Sequence, residues 1–399
     1  MYLFANMLFI YCILTLIVMY IILLTYMKIK FSFWSIQPVF HFYNIYDWFR
    51  PNNIILKELP TMNKYVNILD ITTYNVNDMN DTEKIRFCNF IKSYYLRNNN
   101  MEYLPEHRHI LEYLYASNHP SFISIYKRPT LLFENNKNIN YDEFYSVISA
   151  RVLHITINNK PTFPTYYVDN LCVNPSMRNK GIAPKSIQTL AYNLRHKNDK
   201  IKVYLFKREG EMTTIIPLCT YKTYGYDIKS LPLLKIPHAS IQLIEITSKN
   251  IRLANEFIFK RSKFYSCIIV PEISNILNMI KVNNIILYGL IENGVLISLY
   301  IYRDSATYYE GEKILECIAS LSACPFEDIF LAGFFISIQK SAKHFETSKV
   351  LIENTSDNTL VNKYLETHKF FPFLNSPTAF FLYNYISYSI PSDKCFLLY

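Results

Sequence analysis

Six consecutive residues, Arg178-Asn179-Lys180-Gly181-Ile182-Ala183, combine two cations, a glycine and the opening of an apolar-periodic stretch. Such a turn suits one kind of chemistry. Backbone N–H groups that open a helix have no partner inside it, and together with the helix dipole they make a cradle for phosphate oxygens. Gly181 lets the main chain turn tightly and approach an anion, and Arg178 and Lys180 add charge. The same residues also suit an ordinary basic loop ahead of a helix, so their surroundings decide between the two.

Elements of regular spacing flank the turn. Phe144 to Ile157 and Thr165 to Val173 are rich in β-branched and aromatic residues and predict strands, with Pro161 and Pro164 punctuating the gap. Gly181 to His196 carries Ile182, Ile187, Leu190 and Leu194 at helical spacing, and Ile201 to Phe206 predicts another strand. Upstream, a helix is expected from Asn80 with Asp81 as its cap, then a loop at residues 98–100 and a second helix from His107 to Ala116. The later chain repeats this grammar. A helix from Asn250 to Lys263 precedes a hairpin over Ile285 to Tyr302 that turns at Asn293-Gly294. Helices from Asp328 to Phe345 and from Asn358 to Thr367 enclose a strand at Lys349 to Glu353, and a strand at Ala379 to Tyr385 closes the series. Both halves run helix, strands, helix, strand, which predicts a tandem duplication of one α+β unit.

Composition narrows the partners. The 399 residues carry a net charge of +9, spread along the chain, which fits an anionic partner such as a membrane surface or a phosphate-bearing cofactor. No recognition-helix, zinc-spacing or RNP-like pattern supports nucleic acid as that partner. The eight cysteines contain no CxxC pair, so neither a disulfide framework nor a zinc site is signalled, and a reducing compartment follows. Leu3 to Thr25 is an apolar run without charge, enough to cross a bilayer, which takes roughly 20 residues. A cleaved signal peptide is the rival reading, but bulky residues follow the run and no basic residue precedes it. Lys28 and Lys30 then place the large domain on the cytosolic side of a single-pass anchor. Phe31 to Lys64, aromatic and Pro-punctuated, reads as an extended arm.

Four blocks, in order, resemble the N-myristoyltransferase family of the GNAT superfamily. Leu171-Cys172-Val173 followed by Arg178 through Pro184 is similar to the family's Asn-Phe-Leu-Cys-Val strand and its phosphate turn. Phe31-Ser32-Phe33-Trp34 through Val39 resembles its Phe-Trp-x-Thr-Gln-Pro-Val arm, which covers the acyl-CoA. Asn99-Asn100-Met101 through Glu106 and Phe380 to Tyr385 resemble two further family segments. The resemblance spans nearly all of the chain after the anchor. It implies an α+β fold of two tandem GNAT-like halves that share a mixed, saddle-shaped sheet with flanking helices. The expected divisions are residues 1–27 as anchor, 28–235 as acyl-CoA-binding half and 236–399 as peptide-binding half.

The resemblance also implies a chemistry: transfer of myristate from myristoyl-CoA, a co-substrate with no permanent cofactor or metal, to the amine of an N-terminal glycine. The cofactor-binding residues it implies are Phe31, Ser32, Phe33 and Trp34 of the arm, Leu171, Cys172 and Val173 of the strand, and Arg178, Asn179, Lys180, Gly181, Ile182, Ala183 and Pro184 of the turn. Main-chain amides of Asn170 and Leu171 are the implied oxyanion donors, each worth roughly 3 kcal/mol of barrier. The implied base is the carboxyl group of Tyr399. A carboxyl titrating near about 3.5 is ionised at neutral pH, and burial behind Phe396, Leu397 and Leu398 raises its basicity.

Departures from the family fall on the peptide side. Leu96-Arg97-Asn98-Asn99-Asn100 replaces an acidic loop, which predicts a weak preference for Lys in the peptide. Tyr204-Leu205-Phe206-Lys207 replaces a segment ending in Gly, and Thr223 stands where the family has a peptide-contacting His. Those changes leave open a GNAT-type acyltransferase with another acyl chain or amine, or a silent acyl-CoA and peptide binder.

Overall fold

The computed structural model describes residues 2–96, 100–134, 137–210 and 214–399, apart from the side chains of residues 2–6 and 131–140. The β-branched and aromatic runs build one 15-stranded mixed sheet. From one edge its path runs through Cys395–Leu397, Cys267–Val270, Lys137–Ile157, Phe163–Val173, Tyr204–Glu209, Leu374–Tyr383 and Cys219–Asp227. It continues through Lys349–Glu353, Glu312–Ser322, Val295–Tyr309 and Ile285–Glu292 to Ile241–Ile246.

Most neighbours are antiparallel, and the parallel exceptions matter. Phe163–Val173 pairs in parallel with Tyr204–Glu209 across the helix Ile182–Lys197. Glu312–Ser322 pairs in parallel with Lys349–Glu353 across the helix Glu327–Phe345. A parallel pair needs such a crossover, and the helix in each covers the sheet that it spans.

Helix positions follow from burial. Phe87, Cys88, Phe90 and Ile91 of Asp81–Tyr94 face one cluster with Ile123, Ile125 and Val147. Phe330, Leu331, Phe334, Phe335 and Ile338 of Glu327–Phe345 face another with Tyr300, Tyr302 and Val350. Each such side chain removed from water contributes about 2 kcal/mol.

Several expected boundaries move. The helix cap is Asn80 rather than Asp81: Asn80 is extended, and its side chain accepts the Glu83 N–H at 2.7 Å. The helix expected from His107 to Ala116 shrinks to Arg108–Leu111 plus a 3-10 turn at Glu112–Leu114. There the Asn275 side chain donates to the carbonyls of Tyr113 and Tyr115, in place of helical amides. The strand expected from Ile201 starts at Tyr204, and the closing strand starts earlier, at Leu374. Helix Ile273–Lys281 was not signalled beforehand.

The apolar N-terminus forms a helix, Tyr2–Lys30, in which Met7–Lys30 is long and apolar enough to cross a membrane. A signal sequence passes the same test. The Tyr20 hydroxyl donates to the Tyr43 carbonyl at 2.9 Å, so the helix touches the arm that follows it. That arm is less extended than expected, with short turns at Trp34–Ile36 and Ile45–Trp48. It is nevertheless latched to the closing strand: Val39 bridges Tyr383, the Asn384 N–H donates to the Pro38 carbonyl, and the Tyr383 hydroxyl donates to Gln37 Oε1.

Candidate functional site

Gly181 caps the helix Ile182–Lys197 at φ 72°, a left-handed conformation that favours glycine, and Asn179 is also left-handed at φ 61°. Nothing lies within 4 Å of where a Gly181 side chain would start. Gly181, Ile182 and Ala183, which open the helix, therefore border free space on the side where a Gly181 side chain would lie. Arg178 braces the turn by donating to the carbonyls of Val173 and Tyr94, the latter at the end of the helix Asp81–Tyr94.

A 620 Å³ pocket lies here, lined by Leu171, Cys172, Val173, Arg178, Asn179, Gly181, Ile182, Ala183 and Pro184, with Tyr94, Tyr95, Leu96 and Met177 opposite. Lys180 is exposed beside this wall, its ammonium 3.8 Å from Met177 Sδ. Burial pushes the Cys172 thiol up to about 12.

Of the arm residues, Trp34 stacks on Phe206 at 5.7 Å and packs, like Leu171, against the cluster under helix Ile182–Lys197. Phe33 is buried and meets Tyr65 edge-on at 5.1 Å. Phe31 continues the N-terminal helix by donating its N–H to the Met27 carbonyl, and Ser32 is exposed. None of Phe31 to Trp34 lines the pocket at the turn.

At Asn170 the strand breaks register. Its pairing with Lys137–Ile157 slips between Val147 and Ser149, and Asn170 sits at φ 55°. The parallel pairing with the next strand runs only from Tyr166 to Val168. Asn170 holds this bulge locally: its N–H donates to Asp169 Oδ1 at 2.7 Å, and its side-chain amide donates to Ser149 Oγ at 2.9 Å. An acceptor arriving at that amide competes with Asp169.

Asn170 lines a second, 220 Å³ cavity, and Tyr399 lines it too. The terminal segment is not frayed. Cys395–Leu397 adds a parallel strand beside Cys267–Val270, and Phe396, Leu397, Leu398 and Tyr399 are all buried. The Tyr399 phenol donates to Glu353 Oε1 at 2.5 Å and accepts from Lys207 Nζ at 2.6 Å, while Lys207 also reaches Glu353 at 2.7 Å. Arg303 donates to a main-chain oxygen of Tyr399, one of its terminal carboxyl group, at 3.1 Å and lies over its ring.

Burial opposes the charge on Lys207, but Glu353 and its other anionic neighbours outweigh it and hold the ammonium charged. Burial pushes the Glu353 carboxyl up, with Lys207 pulling it back down. Arg303 is likewise kept charged against burial, chiefly by Glu316, which it binds at 2.7 Å. The carboxylates of Asp169, Glu209, Asp304 and Glu316 face the cations of Arg151, Lys207 and Arg303 around this cavity.

The predicted residues outside the arm therefore gather at two adjoining places, the Gly181 turn and the terminal cavity, joined by the strand Asp169–Val173 and by Tyr95 and Leu96, which line both, whereas Phe31 to Trp34 line neither. The strand Met101–Tyr103 runs antiparallel to Thr307–Tyr309, and Met101 and Tyr103 line the cavity. Residues 97–99, which carry most of the missing acidic loop and start the block at Asn99, lie outside the described residues. Glu353, Arg303, Glu316 and Asp169 are not among the residues that the sequence points to, and Lys207 figures there only as a departure on the peptide side. A lone Lys in a strand was the one signal available.

No family model matches the chain, and no curated protein matches it by sequence. Solved structures do. Three crystal structures of Saccharomyces cerevisiae N-myristoyltransferase are similar to it. One with bound myristoyl-CoA has a TM-score of 0.67 at 14% identity, over 90% of this chain and 94% of that one. A second, also with myristoyl-CoA, reaches 0.70 at 15% identity, over 90% and 89%. A third, with myristoyl-CoA and inhibitors, reaches 0.67 at 14%, over 90% and 91%. The class these findings define is an α+β protein built on a large mixed sheet. In particular, the fold of this chain is that of N-myristoyltransferase.

Proposed function

We propose that the chain is an acyl-CoA-dependent acyltransferase that moves myristate from myristoyl-CoA to the amine of an N-terminal glycine. The supporting observation is the adjacency of two places: a pocket lined by the Gly181 turn, and a cavity walled by both the Asn170 bulge and Tyr399. The CoA pyrophosphate sits on the turn, held by helix-opening amides with Arg178 and Lys180 near. The thioester carbonyl points at the main-chain amides of Asn170 and Leu171. The Tyr399 carboxyl group takes a proton from the glycine ammonium. The freed amine attacks the thioester carbon, the oxyanion is stabilised at the bulge, and the C–S bond breaks to release CoA thiolate, which is then protonated. No enzyme-linked acyl group forms. Residues 28–235 supply the acyl-CoA half and residues 236–399 the acceptor half and terminal residue.

The segment 1–27 anchors the protein in a membrane with the large domain on the cytosolic side. Only six residue steps separate Met27 from Phe33, about 20 Å fully extended, so the arm lies near the headgroups where acyl substrates partition.

A second reading is favoured by two features. The Asn170 N–H is bonded to Asp169, and Lys207 occupies the end of a segment whose family counterpart is glycine. That arrangement suits a different acceptor, or binding without turnover. Incubating the full chain in nanodiscs with labelled myristoyl-CoA and peptides beginning in Gly or Ala separates the cases. Label on the Gly peptides alone supports the first reading, and binding without transfer removes it. Appending residues after Tyr399 is expected to stop turnover with acyl-CoA affinity intact.

A further inference from the structure

Away from both pockets, three metal-ligating side chains converge. His119, His154 and Glu272 each offer a donor atom, and these atoms all lie within 4.8 Å of one another. No other such group of His, Cys, Asp or Glu occurs among the described residues. His154 Nε2 is 3.5 Å from Glu272 Oε1, near the roughly 3.4 Å that separates two ligands on a tetrahedral zinc ion.

The three positions come from separate elements and are braced from outside. His154 is fixed in the sheet, with Val270 on one side and Pro164 on the other. Glu272 immediately precedes the helix Ile273–Lys281, and its other oxygen, Oε2, accepts the Asn118 N–H at 2.7 Å. That bond orients the carboxylate and also places the neighbouring His119. The Ser274 hydroxyl donates to the Ala116 carbonyl at 2.7 Å, and Asn275 donates to the Tyr115 carbonyl at 2.8 Å, so the His119 loop is clamped to the same helix. A carboxylate held by a second-layer hydrogen bond is how protein metal sites orient their ligands. All three side chains are half-buried, which leaves an approach for an ion.

We propose that His119, His154 and Glu272 bind a divalent transition-metal ion, Zn²⁺ foremost, through one nitrogen of each imidazole and Glu272 Oε1, with water as the fourth ligand. Two imidazoles and one carboxylate match Zn²⁺ and its neighbours, whereas Mg²⁺ and Ca²⁺ select oxygen sets. The ion ties the loop after Leu114 to the sheet and to helix Ile273–Lys281. Tyr113, in the turn that leads into this loop, lines the terminal cavity, so the clip stiffens one wall of the acceptor site.

The full chain in detergent micelles, stripped with a chelator, is titrated with Zn²⁺ against a chromophoric competitor and separately with Co²⁺. One equivalent is expected, with the visible bands of tetrahedral Co²⁺ and no near-ultraviolet thiolate band. His119→Ala and Glu272→Gln are each expected to weaken binding by at least about tenfold, and His119→Cys to restore it and add the thiolate band. Zn²⁺ is also expected to raise Tm in the wild type and not in His119→Ala, whose metal-free Tm matches the wild type. Absence of uptake leaves an ordinary His154–Glu272 ion pair and overturns the site. So does unchanged affinity in His119→Ala, or a thiolate band in the wild type.

Discussion

Gly181 and Cys172 carry the sharpest single-residue expectations. With φ at 72° and no atom within 4 Å of a built Cβ, Gly181→Ala meets strain rather than a clash, costing about 1 kcal/mol. The strain falls where phosphate is expected. Steady-state kinetics should give a KM for acyl-CoA raised about five- to tenfold, with kcat little changed. The Cys172 thiol, pushed up to about 12 by burial, stays protonated at neutral pH although it lines the pocket at the turn. A thiol is a poor nucleophile in that state. Iodoacetamide should therefore spare Cys172 in the native chain, and Cys172→Ala should keep its turnover. An acyl group found on Cys172 by mass spectrometry would replace direct transfer with a two-step route.

At the scale of elements, the helix Glu327–Phe345 shows how closely a crossover must approach its sheet. Gly333 faces the sheet, where a Cβ would come within 2.5 Å of both the Tyr300 hydroxyl and Leu290 Cδ1. Tyr300 cannot readily yield, because its hydroxyl donates to the Phe330 carbonyl at 2.7 Å. Helix propensity alone favours alanine over glycine by up to about 1 kcal/mol. Overpacking costs about 1–3 kcal/mol and wins here. Gly333→Ala should lower the denaturant midpoint without altering acyl-CoA affinity, and a raised midpoint would mean that the helix can lift off the sheet.

Across the whole molecule, Asp304 fastens segments far apart in the chain. Its Oδ2 lies 3.1 Å from Arg108, 3.2 Å from His109 and 2.9 Å from Lys313. Burial alone would raise this carboxyl, but hydrogen bonds from His109 and Lys313, with their charges, hold it well below the usual carboxylate range. A depressed folded pKa means that the stabilisation is complete above the unfolded value of about 4 and is lost progressively as pH falls from there through the lower folded value. Equilibrium unfolding between pH 7 and 3 should show the onset of that loss in the wild type. Asp304→Asn, expected to cost about 3 kcal/mol at pH 7, should lose part of this acid dependence.

Features that depend on near neighbours along the chain were legible in the amino-acid sequence. Asn293-Gly294 turned its hairpin with both residues at positive φ, the strand Lys349–Glu353 and the helix Asn358–Thr367 fell at their expected bounds, and Gly181 opened a helix. Turn geometry, capping and apolar periodicity are local preferences, legible in a few residues. Which distant residues meet is settled by packing across the whole chain. Lys207, Glu353 and Tyr399 share one hydrogen-bonded cluster although 146 residues separate the first two, and no spacing rule joins His119 and His154 to Glu272. Strand order sets those meetings, and strand order follows from burying the whole set of apolar faces at once rather than from any one segment's preference.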